Sequence, residues 1–168
     1  LVNSASLFDY DDASSFSLRQ LDQHMHANLA APILLAKALH ELTTEGSQSV
    51  VINLLDQKLF NPNPDFLSYT LSKAGLHSAT VLLAQALAPK VRVVGLAPGL
   101  TLVSGDQTEE GFAAAHQQTP LGKSSTPDDI VAAACYLAHA RAVTGTVLVV
   151  DGGQHLMPMA RDVMFLAK

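Results

Sequence analysis

The chain has 168 residues, of which 48% are hydrophobic and 15% are charged, and its formal net charge is −5 with a pI near 5.7. This length and composition predict one globular domain with a sizeable core rather than a disordered chain. The ten lysine and arginine residues are scattered along the sequence, which argues against nucleic acid or an anionic membrane as a partner. A small-molecule partner is therefore expected.

The sequence gives no sign of a membrane span or of secretion. No apolar run reaches the roughly 18 residues that cross a bilayer, and the first residues lack the basic segment of a signal peptide. The single cysteine, Cys135, lies in the apolar helical stretch "IVAAACYLAHA", where we expect a buried side chain and no disulfide framework. We therefore predict a soluble, cytoplasmic protein.

The first two thirds of the chain alternate between strand and helix signals. The opening "LVNSAS" has the pattern of a buried strand that runs into a loop, so we expect the chain to be a piece of a longer polypeptide. Apolar residues at helical spacing predict a helix over residues 15–42, and the β-branched run "QSVVINLL" predicts a strand after it. A second long helix is predicted over residues 66–88, followed by a strand at "VRVVGLA" that ends at Pro98 and Gly99.

The last third of the chain follows the same alternation. A polar segment over residues 101–125 holds a short predicted helix near "TEEGFAAAHQQ". Thr126, Pro127 and Asp129 form an N-cap signature before a helix over residues 128–140, and "TGTVLVVDGG" predicts a last strand. The final segment "HLMPMARDVMFLAK" suits either burial against a partner subunit or an ordinary terminal helix.

Continuous apolar strands separated by helices indicate a parallel sheet with helices on both faces, so the predicted class is α/β. Ligands bind beyond the carboxyl ends of the strands in such sheets. The informative positions are therefore those that follow each predicted strand, namely Asn3 to Ser6, Asp56 onward, Pro98 to Thr101, and Asp151 to Gly153.

Tyr69 and Lys73 lie four residues apart in a predicted helix, so their side chains project from one face. A lysine ammonium beside a phenol favours the phenolate and lowers the tyrosine pKa from about 10, which would make Tyr69 a usable proton donor. This spacing is common in helices, however, and a partly exposed pair without a catalytic role is the alternative.

The order of several motifs along the chain narrows the function. "LVNSAS" after a strand, Asn28 inside a long helix, "VVINLLD" before a loop, "YTLSK", "APG" and "TGTVLVVDGG" together resemble the short-chain dehydrogenase/reductase family. The resemblance covers essentially the whole chain. It implies a Rossmann-like, doubly wound parallel sheet in three α/β/α layers, with residues 1–168 forming the C-terminal portion of one incomplete domain. The likeness is greatest to pteridine reductases and dihydropteridine-type reductases, because Asp56 stands where most members have a serine.

The resemblance implies a role for each of four residues. Tyr69 would donate a proton as hydride arrives from a nicotinamide, Lys73 would hold the nicotinamide ribose, and Asn28 would help to position the lysine. A carboxylate at Asp56 suits a substrate that presents N–H groups or is protonated at nitrogen, as a pterin is. We therefore expect reduction of a pterin-like C=N bond, with a carbonyl compound as the alternative substrate. A solvated Asp56 in a member without activity is the competing interpretation.

The cofactor implied by the pteridine reductase likeness is NADP(H), with NAD(H) as the alternative. "NSAS" resembles the family's turn beside the adenosine, although Ser4 and Ser6 depart from it, and "PGLT" resembles the loop along the nicotinamide. Residues 102–123 correspond to the family's substrate loop. The residues expected to contact the cofactor are Asn3, Ala5, Tyr69, Lys73, Pro98, Gly99 and Thr101.

One expected feature of the family has no counterpart in this sequence. Family members begin with a Gly-rich turn that receives the cofactor diphosphate, and nothing here resembles Gly-x-x-x-Gly-x-Gly. Catalysis by this piece alone is therefore in doubt. A non-enzymatic module that serves only in oligomerisation is the second hypothesis.

The resemblance also implies a homotetramer or a homodimer, packed through the two long helices and the last strand. The seven histidines show no ligand spacing, and we expect Asp9, Asp11 and Asp12 to be solvated. No metal site is predicted.

Overall fold

A computed structural model of the chain describes residues 1–103 and 108–165. In that part of the chain, parallel strands form a sheet in sequence order, with Asn3 opposite Asn53 and Leu96 opposite Leu54. The strands lie where the sequence predicts them. They are β1 (Val2–Asn3), β2 (Ser49–Leu54), β3 (Val91–Pro98) and β4 (Val147–Val150).

The predicted helices are confirmed to within a few residues at each end. The helix expected over residues 15–42 is one continuous element in which a π-helical turn, His26–Ala30, separates the α-helical segments Leu18–Met25 and Ala31–Leu42. No helix among the described residues is long and apolar enough to cross a membrane. The helices are α1 (Leu18–Met25), α2 (Ala31–Leu42), α3 (Leu67–Ala86), α4 (Glu109–Gln117) and α5 (Pro127–His139).

Different helices cover the two faces of the sheet. Helices α2 and α3 pack on one face, where Ala36 of α2 clusters with Val51 of β2. Helix α5 packs on the other face, where Leu137 clusters with Ile52. Successive residues of a strand point to opposite faces, which is why neighbours in β2 belong to different clusters. The three-layer α/β/α arrangement predicted from the sequence is therefore confirmed.

Helix α5 begins at the predicted cap. The side chain of Thr126 accepts a hydrogen bond from the main-chain N–H of Asp129, and the Asp129 carboxylate accepts one from that of Thr126. The helix packs on the sheet through Ile130 and Leu137, among others. Cys135 is exposed, so the prediction of a buried cysteine was wrong, because the residue lies off the packed stripe of the helix.

The strands are parallel, so their carboxyl ends lie along one edge of the sheet. The segments that follow the strands meet there, and the segment after β4 crosses to the segment after β2. Asn61 donates a hydrogen bond to the carbonyl of Met157 across this junction. The last described residues form two short 3-10 turns, Gln154–Leu156 and Val163–Phe165, rather than the terminal α-helix considered above.

A buried chain of polar side chains connects β1, β2 and α3. The Asn3 side chain donates to Asn53 Oδ1 at 2.8 Å, and Asn53 donates to Thr80 Oγ1 at 3.0 Å. Thr80 in turn donates to the carbonyl of Leu76 at 2.8 Å. The three polar side chains are at most 8% exposed, so their partners in this chain replace water.

We expect Asn53→Ala to lower the free energy of unfolding by about 2–4 kcal/mol, because it leaves Asn3 and Thr80 buried with a lost partner. The measurement is chemical denaturation followed by circular dichroism. Ser78→Ala, on the exposed side of α3, is the control and should change stability by less than about 0.5 kcal/mol. Equal stabilities for the two variants would show that the buried chain contributes little.

Candidate active site

The carboxylate of Asp56 is fixed at both oxygens where β2 ends. Asp56 is the N-cap of the 3-10 turn Gln57–Phe60, and its Oδ1 accepts a hydrogen bond from the main-chain N–H of Lys58 at 2.8 Å. Its Oδ2 accepts a hydrogen bond from the Tyr69 hydroxyl at 2.7 Å. The strand end and α3 thus hold one carboxylate between them.

Tyr69 and Lys73 project from the same face of α3 and are 7% and 3% exposed. The Lys73 ammonium donates to the carbonyl of Leu54, the last residue of β2, at 2.8 Å, and it lies 5.7 Å from the centre of the Tyr69 ring. The structure therefore brings together Asp56, Tyr69 and Lys73, which the sequence singled out.

Burial dominates the acid–base properties of these three groups. It raises the pKa of Asp56, and together with the neighbouring Asp56 carboxylate it raises the pKa of Tyr69 well above its ordinary value. Burial lowers the pKa of Lys73 to about 8, although Asp56 acts in the opposite direction. The prediction that Lys73 lowers the Tyr69 pKa was wrong for this arrangement, because the phenol donates to a carboxylate. Tyr69 therefore keeps its proton at neutral pH.

These groups line a cavity of about 520 Å³ at the carboxyl ends of the strands. Every segment that follows a strand contributes to its wall. Residues 161–165, called the terminal segment below, also contribute. Among residues 1–103 and 108–165, no group of three or more His, Cys, Asp or Glu side chains could hold a metal ion. Lining residues include Ser4, Ser6, Phe8, Asp56, Gln57, Tyr69, Lys73, Pro98, Gly99, Thr101, Gln154, Asp162 and Val163.

Asn28 is fully buried in the π-helical turn and binds the loop that follows β1. Its side chain accepts from the N–H of Leu7 at 2.7 Å and donates to the carbonyl of the same residue at 2.9 Å. It also donates to Ser72, the neighbour of Lys73 in sequence, at 3.0 Å. Asn28 therefore ties the β1 loop to α3 beside Lys73, and its predicted action on the lysine itself stays a prediction.

The two residues predicted to lie beside the adenosine differ in environment. The side chain of Asn3 is buried and bonded to Asn53, whereas Ala5 is exposed. Ser4 and Ser6, the positions that depart from the family pattern, line the cavity instead. A cofactor contact by Asn3 or Ala5 stays a prediction.

The loop after β3 is held in place from two sides. Gly99 donates to the carbonyl of Val150 at 3.0 Å, and a Cβ on this glycine would lie 2.6 Å from that of Asp151. Only glycine therefore fits between the two strand ends. Thr101 shares a 2.7 Å hydrogen bond with Ser125. Pro98, Gly99 and Thr101 line one edge of the cavity, and their contact with a nicotinamide stays a prediction.

The predicted substrate loop, residues 102–123, is described only in part. Leu102 lines the cavity and is 66% exposed, and α4 occupies residues 109–117. Residues 104–107 lie outside the described part of the chain. The contribution of that stretch to substrate binding stays a prediction.

The sequence did not indicate that a distant aspartate caps the start of α3, the helix that carries Tyr69. Asp11 is 1% exposed and accepts hydrogen bonds from the main-chain N–H of Ser68, at 2.9 Å, and from its hydroxyl. The prediction that Asp11 is solvated was therefore wrong, because it supplies the acceptor that the first residues of α3 need. The one local signal is Phe66 at the N-cap position, since phenylalanine offers no side-chain acceptor.

Phe8 is a second residue that the sequence did not single out. Its ring stacks on Phe66 at 4.3 Å between ring centres and meets the Tyr69 ring edge-on at 4.7 Å. Phe8 is 37% exposed and lines the cavity, so an aromatic surface borders the Asp56–Tyr69 pair.

Comparison with known proteins identifies the family. The family model described as enoyl-(acyl carrier protein) reductase matches residues 1–155. A 3β-hydroxysteroid dehydrogenase 1 from Eggerthella lenta is 32% identical over 165 residues, covering 94% of this chain and 63% of that protein.

Two solved structures of FolM alternative dihydrofolate reductase 1, each in complex with NADP, resemble the chain closely. The Brucella suis protein is 39% identical with a TM-score of 0.90, over 94% of this chain and 64% of that one. The Brucella canis protein is 38% identical with a TM-score of 0.87, and the match covers 94% of this chain and 62% of that one. The chain spans less than two thirds of the length of each of these relatives. Because the family model matches most of the chain, the chain belongs to the short-chain dehydrogenase/reductase family.

Proposed function

We propose that the complete protein is an NADP(H)-dependent reductase that transfers hydride to a pterin-like C=N bond, with Asp56 and Tyr69 as the source of the proton. The observation that carries this proposal is the 2.7 Å hydrogen bond between the Tyr69 hydroxyl and Asp56 in the wall of the cavity. The similarity to two alternative dihydrofolate reductases that bind NADP supports the same substrate class.

The residues at the cavity fit the nicotinamide half of the cofactor. A lysine ammonium has three N–H donors, and the bond from Lys73 to the Leu54 carbonyl aims it at the cavity wall, where further donors suit ribose hydroxyls. Tyr69 would contact the same ribose. Pro98, Gly99 and Thr101 would border the ring and its amide. When bound, the nicotinamide supplies the hydride.

Proton donation follows from the environment of Asp56. Because burial raises its pKa, a larger fraction of Asp56 carries a proton near neutral pH than an exposed aspartate would. A protonated carboxyl is an O–H donor, and a substrate nitrogen that gains electron density during hydride transfer is its acceptor. Tyr69, which keeps its proton, bonds directly to the carboxylate that donation leaves. A serine at this position would offer a hydroxyl but no titratable proton.

The cavity also matches a flat substrate with N–H groups. Its volume of about 520 Å³ is in the range of small-molecule sites, and the Phe8 ring offers a surface on which a heterocycle would stack. Gln57 lines the cavity beside Asp56, and its buried Oε1 has no hydrogen-bond partner among the described residues. Two neighbouring acceptors thus suit a substrate with several N–H donors.

Reduction of a carbonyl compound is the second candidate. It is favoured by the sequence similarity to the Eggerthella lenta steroid dehydrogenase, whose name indicates oxidation of a hydroxyl group. In that reaction Tyr69 alone would serve as the proton donor, and Asp56 would only orient it. The role of Asp56 therefore separates the two candidates.

The assembly expected from the family is proposed here on the exposed apolar side chains of the long helices. Leu34 and Leu42 of α2 are 64% and 79% exposed, and Leu82 of α3 is 63% exposed. Burial of these surfaces between copies would give a homodimer or a homotetramer. A cytoplasmic location and the assignment of residues 1–168 to one domain stay predictions.

The substrate proposal is tested with the full-length protein by following NADPH oxidation with dihydrobiopterin, dihydrofolate and a panel of ketones. We expect pterin turnover, and we expect Tyr69→Phe and Asp56→Ser each to lower its kcat by about 100-fold or more. Asp56→Ser removes the carboxyl that donates the proton, and Tyr69→Phe removes the hydroxyl that bonds to the carboxylate left behind. Ketone turnover that survives Asp56→Ser, without pterin turnover in the parent, would assign the carbonyl reaction. Absence of NADPH binding would favour the non-enzymatic module.

The pH dependence of pterin reduction should follow Asp56. Since the protonated carboxyl is the donor, kcat falls about tenfold per pH unit above the raised pKa of Asp56. Asp56→Asn has no proton to lose at this position, so its residual rate should stay level over the same pH range. An unchanged slope in Asp56→Asn would assign the titration to another group.

The same burial should make Asp56 a source of instability at high pH. A folded-state pKa above the unfolded value of about 3.9 stabilises the fold below that value, and this contribution is lost as pH rises through the folded pKa. Asp56→Asn should therefore be more stable than the parent at pH 8, with a smaller difference at pH 4. Thermal unfolding at both pH values measures this, and a difference that grows toward pH 4 would contradict it.

A further inference from the structure

Two ion pairs, Lys58–Asp162 and Asp65–Arg161, hold the terminal segment against the loop that follows β2, and together they are called the clamp. Lys58 Nζ donates to Asp162 Oδ2 at 2.8 Å. Asp65 accepts from the main-chain N–H of Asp162 at 2.7 Å and from Arg161 Nε at 2.8 Å. The segment held in this way supplies part of the cavity wall, since Asp162 and Val163 line the cavity.

Lys58 is the buried member of this clamp, with 2% of its surface exposed. Its ammonium also donates to Asn63 Oδ1 at 2.6 Å and lies 5.4 Å from the centre of the Phe66 ring. A buried cation that loses its charged partner is strongly disfavoured. Asp162 therefore stays in place, and the cavity wall formed by the terminal segment stays with it.

The same residue also holds the candidate proton donor. The main-chain N–H of Lys58 donates to Asp56 Oδ1 at 2.8 Å, while its side chain binds Asp162. Lys58 thus connects the carboxylate on one side of the cavity to the terminal wall on the other. Removal of the lysine side chain would therefore free the terminal wall and leave the Asp162 charge near Asp56 without its cation.

We propose that Lys58 is a positioning residue, which fixes the Asp56 carboxylate relative to the wall at Asp162 and Val163 and so determines both proton donation and substrate fit. The kinetic part of this inference rests on the reductase function proposed above. The structural part concerns the apoprotein and holds independently of the substrate.

The charges around Asp56 predict opposite shifts of its pKa when Lys58 or Asp162 is replaced. Asp56 faces Tyr69 and Lys73 of α3, the main-chain N–H of Lys58, and the carboxylate of Asp162. After burial itself, Asp162 is one of the groups that raise the pKa of Asp56. Loss of the Lys58 cation leaves the negative charge of Asp162 without its partner, which should raise the pKa of Asp56 further. Loss of the Asp162 carboxylate removes that negative charge, which should lower the pKa of Asp56. The two changes therefore act on Asp56 in opposite directions.

The test uses Lys58→Met and Asp162→Asn in the full-length protein, with the Asp56 carboxyl titrated by carbon-13 NMR. We expect the pKa of Asp56 to rise in Lys58→Met and to fall in Asp162→Asn, each by about half a unit or more. The KM for the pterin should rise about tenfold in Lys58→Met, and Lys58→Arg, which keeps the cation, should restore most of it.

Arg92→Met is the matched control, because it also removes a buried cation. Arg92 donates to the carbonyls of Leu137 and Ala138 at the end of α5, and it does not line the cavity. We expect it to lower stability while the pKa of Asp56 and the KM stay unchanged. If Lys58→Met does not fold, the double variant Lys58→Met/Asp162→Leu leaves no unpaired charge and should still raise the KM.

Shifts of the Asp56 pKa in the same direction in Lys58→Met and Asp162→Asn, or no shift in either, would overturn the inference. The same holds if Arg92→Met changes the KM as much as Lys58→Met does. A protein that binds NADPH but reduces no pterin would remove the proposed function and leave the NMR titration to decide the role of Lys58.

Discussion

The arrangement of the site depends on one half-buried carboxylate held between a strand end and a helix. Asp56 accepts from Lys58 on the side of β2 and from Tyr69 on the side of α3. Each of these contacts needs a support of its own. Asp11 satisfies the first turn of α3, and Lys73 bonds the last carbonyl of β2, so the strand and the helix keep a fixed distance. The hydrogen bond of 2.7 Å between Asp56 and Tyr69 is the result of both supports.

The chemistry of the site and the stability of the fold oppose each other here. Burial disfavours charge on both Asp56 and Lys73, which is why one pKa is raised and the other is lowered. Phe66, at the start of α3, has a φ of 54°, a conformation that is uncommon and strained for a residue with a side chain. Its ring stacks on Phe8, and this packing offsets part of the strain. The strained residue lies three positions from Tyr69 and so determines where the helix presents the hydroxyl.

Local patterns were sufficient to predict the elements and the place of the site. Apolar periodicity located the strands and the long helices, and the four-residue spacing placed Tyr69 and Lys73 on one face. Parallel strands bring their carboxyl ends together, so Asp56 and the Pro98 loop were expected at one edge. The errors concern contacts between residues far apart in sequence. Asp11 is 57 residues from Ser68, and Lys58 is 104 residues from Asp162. No short-range pattern distinguishes these side chains from solvated charges.

The charges beside the cavity are balanced in a way that bears on proton transfer. Lys58 and Arg161 are positive, Asp65 and Asp162 are negative, and each cation is paired with a carboxylate. The electrostatic field of these four paired charges at Asp56 is therefore smaller than the field of any one of them alone. Burial remains the first cause of the raised pKa of Asp56. Because these charges are paired, removal of a single partner changes the field at Asp56, and the proposed coupling between the cavity wall and the candidate proton donor runs through Lys58.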